Sequence, residues 1–218
     1  MEKNNPNRII IHRMPLVTLS VLFLCVCATI FSQITAVIIY DRNAISCGEI
    51  WRLISCHFVH FNNAHLAYNL LAFGIAGLII ENKGYPYFKS LCFLISLSIG
   101  LVIFYFRTNM AFYGGLSGLA CGSIFYFAFW GLYETKHWRI ICLILIFSIS
   151  LEIILEFVNG SSLLPYLGTK TFTIVPLSHL TGSIVAFIVF TLGREKQKLI
   201  NQEAQKPWEV KSLTIVST

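Results

Sequence analysis

The sequence predicts an all-α polytopic membrane protein, a bundle of six transmembrane helices with both termini in the cytoplasm. Of its 218 residues, 56% are hydrophobic and only 12% are charged, and the mean hydropathy is +0.72. A soluble globular protein carries about 25% charged residues, so this chain has too little charge to cover a water-facing surface. Composition excludes a soluble enzyme and a disordered chain. It also excludes a DNA-binding domain, because the net charge of +6 lies mostly at chain ends and in short loops.

Six charge-poor runs are candidates for membrane spans. A spanning helix needs about 20 mostly apolar residues. The runs are Met14–Tyr40, His65–Ile80, Tyr87–Phe106, Leu116–Leu132, Trp138–Phe157 and Pro176–Gly193. The first follows a basic segment but lacks an A-x-A-like cleavage site, and we interpret it as an uncleaved signal-anchor.

The distribution of Lys and Arg predicts the orientation. With the N-terminus inside, cytoplasmic segments hold 12 of the 16 basic residues and outer segments hold four, which are Arg42, Arg52, Arg107 and Lys170. We therefore predict a cytoplasmic tail over residues 1–13, a six-helix domain over 14–193 and a basic cytoplasmic tail over 194–218.

The seven cysteines do not define a function. Five lie in apolar runs, where cysteine behaves as a small hydrophobe. Cys47 and Cys56 share the first outer loop and could form a disulfide if that side is oxidising; the alternative is two free thiols. No spacing resembles a zinc site or a nucleotide-binding glycine pattern, so we expect no metal and no cofactor.

Three polar clusters lie near the starts of spans two, four and six. Ionisable groups inside a membrane are rare and mark function by default. These three spans all run from outside to inside, so the clusters share one depth, just below the outer surface. They comprise His57, His60, His65 and Asn69, then Gly114, Gly115, Leu116, Ser117 and Gly118, then Ser178, His179, Leu180, Thr181 and Gly182.

A serine, a histidine and a side-chain amide at one depth are the parts of a hydrolase. The Ser117 hydroxyl is a weak nucleophile until a base takes its proton, and a neutral imidazole such as His179 does this near pH 7. The oxyanion of the tetrahedral intermediate then needs hydrogen-bond donors. Asn69 and His65, four residues apart on one helix face, can supply two. Backbone N–H groups at the start of span four, from Leu116 onward, can supply others.

Small residues predict a close approach between spans four and six. Gly114, Gly118 and Gly122 form a stripe spaced by four, and Gly182 and Ala186 follow the span-six histidine on its own face. Such residues let membrane helices approach closely. Close approach is what a serine and a histidine on separate helices need to come within about 3 Å.

Each feature also has an ordinary structural interpretation. An intramembrane serine usually bonds to its own helix, and a lone histidine can serve packing or a proton relay. His57 and His60 can simply sit at the membrane interface, and glycine stripes occur in membrane helices of any function. The convergence of three clusters at one depth, with Gly-x-Ser-Gly around the serine, favours the catalytic interpretation.

In their order and placement the motifs resemble those of the rhomboid family of intramembrane serine proteases, over about residues 14–193. The resemblance rests on a Trp-Arg pair in the first outer loop, a histidine–asparagine signature in span two, a cytoplasmic turn after it, a Gly-x-Ser-Gly nucleophile motif and a His-x-x-Gly base motif. In this chain they are Trp51-Arg52, His60-x4-His65-x3-Asn69, Glu81-Asn82-Lys83-Gly84, Gly115-Leu116-Ser117-Gly118 and His179-x2-Gly182.

The resemblance implies a six-helix rhomboid-like bundle with a Ser117/His179 dyad and no third acidic member. It implies an oxyanion site from the Ser117 N–H, His65 and Asn69. Positions that would support these groups are His60, Gly115, Gly118, Gly182 and Cys121.

The compact six-span form is similar to the branch called rhombosortases, which processes secreted bacterial proteins that end in Gly-Gly, an apolar helix and a basic tail. The implied activity is endopeptidase cleavage of transmembrane-anchored proteins near the outer face of the bacterial inner membrane. The implied partners are a transmembrane substrate and lipid, with no nucleic acid.

One alternative is a non-catalytic rhomboid-like protein that binds transmembrane segments. Another is a small transporter, which predicts polar residues across the whole bilayer rather than on one side.

Two features depart from the family pattern or lie outside it. Cys121 stands where many rhomboids carry a tyrosine stacked on the catalytic imidazole, which leaves the support of His179 open. Glu152 and Glu156 lie four apart in span five. One interpretation is that the two carboxylates receive a basic group of the substrate. The other, which we favour, is that Glu156 sits at the outer interface and Glu152 is protonated or paired.

Overall fold

The computed structural model describes residues 14–160 and 175–204. Within them the chain is helical apart from one short antiparallel pair of strands, β1 (Tyr40–Asp41) and β2 (Phe112–Tyr113). The helices are α1 (Leu16–Ile30), α2 (Ser32–Ile38), α3 (Arg42–Ser46), α4 (Arg52–Ser55) followed by a 3-10 turn (Cys56–Phe58), α5 (Asn63–Lys83), α6 (Phe88–Phe106), α7 (Ser117–Gly131), α8 (Lys136–Asn159) and α9 (Pro176–Ala204). The predicted tail 1–13, Lys170 and the basic residues after 204 lie outside this range.

Among the described residues, α5, α6, α8 and α9 are long and apolar enough to cross a membrane. The bent pair α1 and α2 adds a fifth candidate if it counts as one span. Helix α7 has 15 residues and is about 22 Å long at 1.5 Å per residue, which is short for a full crossing. The chain is therefore an all-α, multi-pass membrane protein. The count of six spans and the orientation of the termini stay predictions.

The first predicted run, Met14–Tyr40, is not one straight helix. Helices α1 and α2 meet at an angle of 112°, with Phe31 in an extended conformation between them. The Arg52 guanidinium of the following loop donates to the carbonyl oxygens of Ala36 (3.0 Å) and Ile39 (2.8 Å) at the end of α2. Hydropathy did not predict the bend, because the residues on both sides of it are apolar.

Helix α7 lies at the centre of the bundle. Eleven of its fifteen residues are buried, and it packs against α5, α6, α8 and α9. A helix surrounded on all sides must be apolar all round, which explains why this segment has no polar face. Ser117 is its first residue, so the packing of α7 holds the serine inside the bundle.

Glycines allow α7 and α9 to cross with their backbones in contact. A Cβ atom added at Gly122 would lie 2.7 Å from the carbonyl oxygen of Gly182, and one added at Gly118 would lie 2.9 Å from that of Ser178. One added at Gly182 would overlap the carbonyl oxygen of Gly118. The predicted stripe is wrong at Gly114, which precedes α7 and packs against the loop before α5 rather than against α9.

We expect Gly182→Ala to destabilise the protein. The added methyl group meets backbone atoms of α7, which cannot rotate away, and overpacking of a core costs typically about 1–3 kcal/mol. Thermal unfolding in detergent measures the loss. Gly74→Ala is the matched control, because its added Cβ would meet only the Leu22 side chain at 3.5 Å, an ordinary contact. A Gly182→Ala variant as stable as Gly74→Ala would contradict the close crossing.

The turn after α5 connects this helix to the start of α1. The Glu81 carboxylate accepts hydrogen bonds from the backbone N–H groups of Val17 (3.1 Å) and Thr18 (2.9 Å), which satisfies two donors that a helix N-terminus leaves free. Gly84 then ends α5 in the left-handed region, at φ +68°, where glycine is favoured. This turn is therefore a structural element that fixes α1 against α5.

Candidate active site

An open cavity of about 130 Å³ lies between α5, α7, α8 and α9. Most of its walls are apolar, and its polar lining comes from all four helices. The polar and ionisable side chains are His65, Tyr68, Asn69, Ser117, Cys121, Glu152, Glu156 and His179. The structure therefore brings the predicted serine, histidine and amide to one place, although they come from three separate helices.

Ser117 lies at the N-terminus of α7, after a loop with constrained geometry. Gly115 has φ +142°, a backbone region that other residues rarely adopt. Its N–H donates to the Cys56 carbonyl at 3.3 Å, and a Cβ added there would lie 3.0 Å from the His65 ring. The requirement for glycine at the first position of the nucleophile motif thus has two causes, the backbone conformation and the nearby imidazole.

His57 fixes this loop from beneath. Its ring nitrogens lie 3.2 Å from the Gly115 carbonyl oxygen and 3.0 Å from that of Ser96 on α6. The side chain is fully buried, and burial lowers the pKa of its imidazole. His57 therefore lies in the core rather than at the membrane interface, and it joins the loop before Ser117 to α6.

His60 contacts the same loop from its other side. Its Nε2 accepts the Leu116 N–H at 3.4 Å, and its ring packs edge-to-face on His65 with centroids 5.2 Å apart. Burial and the neighbouring His65 lower the pKa of His60 to about 3, so the ring is neutral and can accept a hydrogen bond. The Leu116 N–H predicted as an oxyanion donor is therefore directed to His60. The backbone donor of α7 that remains nearest the nucleophile is that of Ser117 itself.

Asn69 and His65 lie one turn apart on the buried face of α5. The helix begins where the Asn62 side chain accepts the His65 N–H at 2.7 Å, as an N-cap. Asn69 is only 6% exposed, and in the described part of the chain its Nδ2 has no hydrogen-bond partner. A buried amide donor without a partner is rare. Because it lines the cavity, it is available to an oxygen atom of a bound substrate.

His179 is held by a carboxylate from α8. Its Nδ1 lies 2.7 Å from Oε2 of Glu156, and the Glu156 side chain is 2% exposed. The interpretation that Glu156 sits at the outer interface is therefore wrong. No hydrogen bond joins Ser117 to His179 within residues 14–160 and 175–204, although both line the cavity; catalytic hydrogen bonds are often long before substrate binds.

Cys121 faces the cavity one turn after Ser117 and does not replace a stacking ring. Its Sγ lies 3.8 Å from the His179 carbonyl oxygen and 3.5 Å from the Ser183 hydroxyl. These contacts are with the backbone and side chains of α9 rather than with the imidazole face. Position 121 therefore packs α7 against α9, and the imidazole receives its polar support from Glu156.

We expect Cys121→Tyr to destabilise the protein and Cys121→Ala to be nearly neutral for activity. Cys121 is buried where α7 meets α9, so a tyrosine there overpacks the contact. Overpacking destabilises a core by about 1–3 kcal/mol, whereas an aromatic pair stabilises it by about 0.5–1.5 kcal/mol. Thermal unfolding and peptide cleavage on both variants test this. A more stable and more active tyrosine variant would refute the packing argument, and an inactive alanine variant would assign Cys121 a chemical role.

The described residues contain no group of three or more His, Cys, Asp or Glu side chains that could hold a metal ion. Cys47 and Cys56 are free thiols. The polar groups that line the cavity are a hydroxyl, a phenol, a thiol, imidazoles, carboxylates and an amide.

Comparison with known proteins identifies one family. The model of the family described as Rhomboid domain matches residues 47–196, which is 150 of the 218 residues and includes all the polar residues that line the cavity. No curated protein matches the chain.

Proposed function

Because the chain belongs to the rhomboid family, whose members are generally intramembrane serine proteases, we propose that it is an intramembrane serine endopeptidase. Ser117 is the nucleophile and His179 the general base. The observation that carries the proposal is the convergence of Ser117, His179 and Asn69 on one cavity inside the bundle.

The reaction follows from the chemistry of these groups. His179 Nε2 takes the proton of the Ser117 hydroxyl as the oxygen attacks the scissile carbonyl. The Ser117 N–H, the Asn69 amide and His65 stabilise the oxyanion of the tetrahedral intermediate. The imidazolium then gives its proton to the leaving amine, which leaves an acyl-enzyme. Water, deprotonated by the same imidazole, hydrolyses the ester and restores the serine.

The proposed substrate is a protein anchored by a transmembrane segment and cleaved near the outer face of the membrane. Support comes from the depth of the site: Ser117 begins α7, and His65 and His179 lie in the first turn of α5 and of α9. With the predicted orientation, these ends face outward. Processing of rhombosortase type, on a C-terminal Gly-Gly anchor in the bacterial inner membrane, is the narrower form of this proposal.

The second candidate function is binding of transmembrane segments without cleavage. Within the described residues no hydrogen bond joins Ser117 to His179, and this observation favours the second candidate, since an active dyad is expected to close its hydrogen bond at some stage. Both functions predict contact with lipid and with a transmembrane partner. They differ in whether Ser117 reacts.

Labelling with a fluorophosphonate serine probe separates the two functions. An activated serine forms a covalent adduct, so we expect the wild-type chain to label and Ser117→Ala to remain unlabelled. Ser123→Ala is the matched control, because this serine lies on the same helix but donates to the Leu119 carbonyl and is fully buried. A wild-type chain that fails to label in a folded state would favour the binding function.

A further inference from the structure

We propose that Glu156 is a positioning residue that completes a Ser117–His179–Glu156 triad. The inference rests on the proposed function and goes beyond it, because the resemblance implies a dyad without an acidic member. In this chain the helix α8 would supply the group that orients the base, in place of a ring stacked on it from α7.

The distance and the burial point to a functional pair rather than a surface ion pair. His179 Nδ1 and Glu156 Oε2 are separated by 2.7 Å, the range of charge-assisted hydrogen bonds. A buried carboxylate is costly unless it is paired, and across the described residues His179 is the group that pairs with the Glu156 carboxylate. Among the described residues, neither side chain has a second hydrogen bond or ion pair.

The contact determines which nitrogen acts as the base. An ionised carboxylate only accepts hydrogen bonds, so Nδ1 of His179 carries the proton and Nε2 is left with its lone pair. Nε2 lies on the opposite edge of the ring from Glu156, and Ser117 lines the same cavity. When Nε2 takes the serine proton, the carboxylate stabilises the imidazolium that forms.

Besides His179 and Glu156, six polar or ionisable side chains of the described residues line the cavity, and only Glu152 among them is a carboxylate. The Cys121 Sγ contacts the His179 carbonyl oxygen rather than its ring, and Ser117 is the proton donor. Glu152 lies one turn before Glu156 on α8 and lines the same cavity, yet it has no hydrogen bond to His179. Glu152 therefore offers a matched control with the same chemistry and helix but without the contact.

Steady-state cleavage of a peptide substrate by the full chain in detergent tests the proposal. We expect Glu156→Gln to lower kcat by about 10³–10⁴-fold with KM changed less than about threefold, because loss of the orienting carboxylate in a Ser-His-Asp triad lowers kcat by about 10⁴. Glu156→Asp, which keeps the carboxylate, should recover part of kcat. Glu152→Gln should lose at least tenfold less kcat than Glu156→Gln.

Three outcomes would overturn the role of Glu156: a kcat of Glu156→Gln within threefold of wild type, an equal loss in Glu152→Gln, or a change in KM alone. Nitrogen-15 NMR of histidine in the wild-type chain, assigned with His179→Asn, gives a test that needs no Glu156 variant to fold. We expect a protonated Nδ1 on His179, and an unprotonated one overturns the proposal. Absence of fluorophosphonate labelling in the wild type would instead reject the protease function, so the two failures are distinguishable.

Discussion

Ser117→Ala and His179→Ala are each expected to abolish cleavage of a transmembrane substrate in detergent or in liposomes. The hydroxyl has no nucleophilic strength without a base, and the base has nothing to activate without the hydroxyl. Removal of either member of such a pair lowers kcat by on the order of 10⁶ in a soluble serine protease. Because the two residues act as a unit, the double variant should be no less active than either single one.

The two variants should differ in stability. The Ser117 hydroxyl makes no hydrogen bond within the described part of the chain, so its loss leaves the fold intact. His179→Ala removes the partner of the buried Glu156 carboxylate, and breaking a buried pair costs typically about 3–5 kcal/mol. Thermal unfolding should therefore show a loss for His179→Ala that the added change Glu156→Gln partly restores.

Measured turnover decides the assignment. Near-full activity in either single variant would show that the dyad is wrongly assigned. A double variant far less active than both single ones would show that the residues act at separate steps. Loss of activity in Ser117→Ala together with loss of folding would leave the fluorophosphonate label as the deciding readout, because it reports on the wild-type serine directly.

The helical fold and the grouping of the polar residues could be predicted because both follow from local pattern. Helix α6 (Phe88–Phe106) agrees with its predicted run to within one residue, since a polar turn and a charged loop bound the apolar stretch. Ser117, Asn69 and His179 line one cavity, as the alternation of helix directions predicted. The depth of a residue in the membrane depends on its position along a spanning helix, and the hydropathy pattern predicts where each helix begins and ends.

Two features could not be predicted because they depend on three-dimensional packing. The bend at Phe31 accompanies hydrogen bonds between the loop at Arg52 and the end of α2, and no hydropathy profile contains such contacts. The contact between Glu156 and His179 depends on how α8 is rotated about its axis relative to α9. A signal did exist, because an ionisable side chain in an apolar run needs a partner, but the sequence alone could not say which residue that partner was.

Asn69→Ala is expected to lower kcat by about 10²–10³-fold, which corresponds to about 3–4 kcal/mol in the barrier, the usual loss of one oxyanion donor. KM should change little, because the amide acts on charge that develops only in the transition state. The fold should suffer little, since the Asn69 Nδ2 has no hydrogen-bond partner in the described residues and its removal breaks no hydrogen bond of that amide there. Steady-state kinetics test the expected change in kcat and KM, and thermal unfolding of the same preparation tests the expected stability.

Asn62→Ala is the matched control on the same helix. Its side chain caps α5 at the His65 N–H, so its loss should lower stability by about 1 kcal/mol while kcat falls far less than in Asn69→Ala. The two asparagines thus separate a structural role from a chemical one. An Asn69→Ala variant that raised only KM would make Asn69 a substrate-binding residue, and one that lost stability as Asn62→Ala does would make it a packing residue. The oxyanion role requires the remaining combination, a slow enzyme with unchanged folding and unchanged affinity.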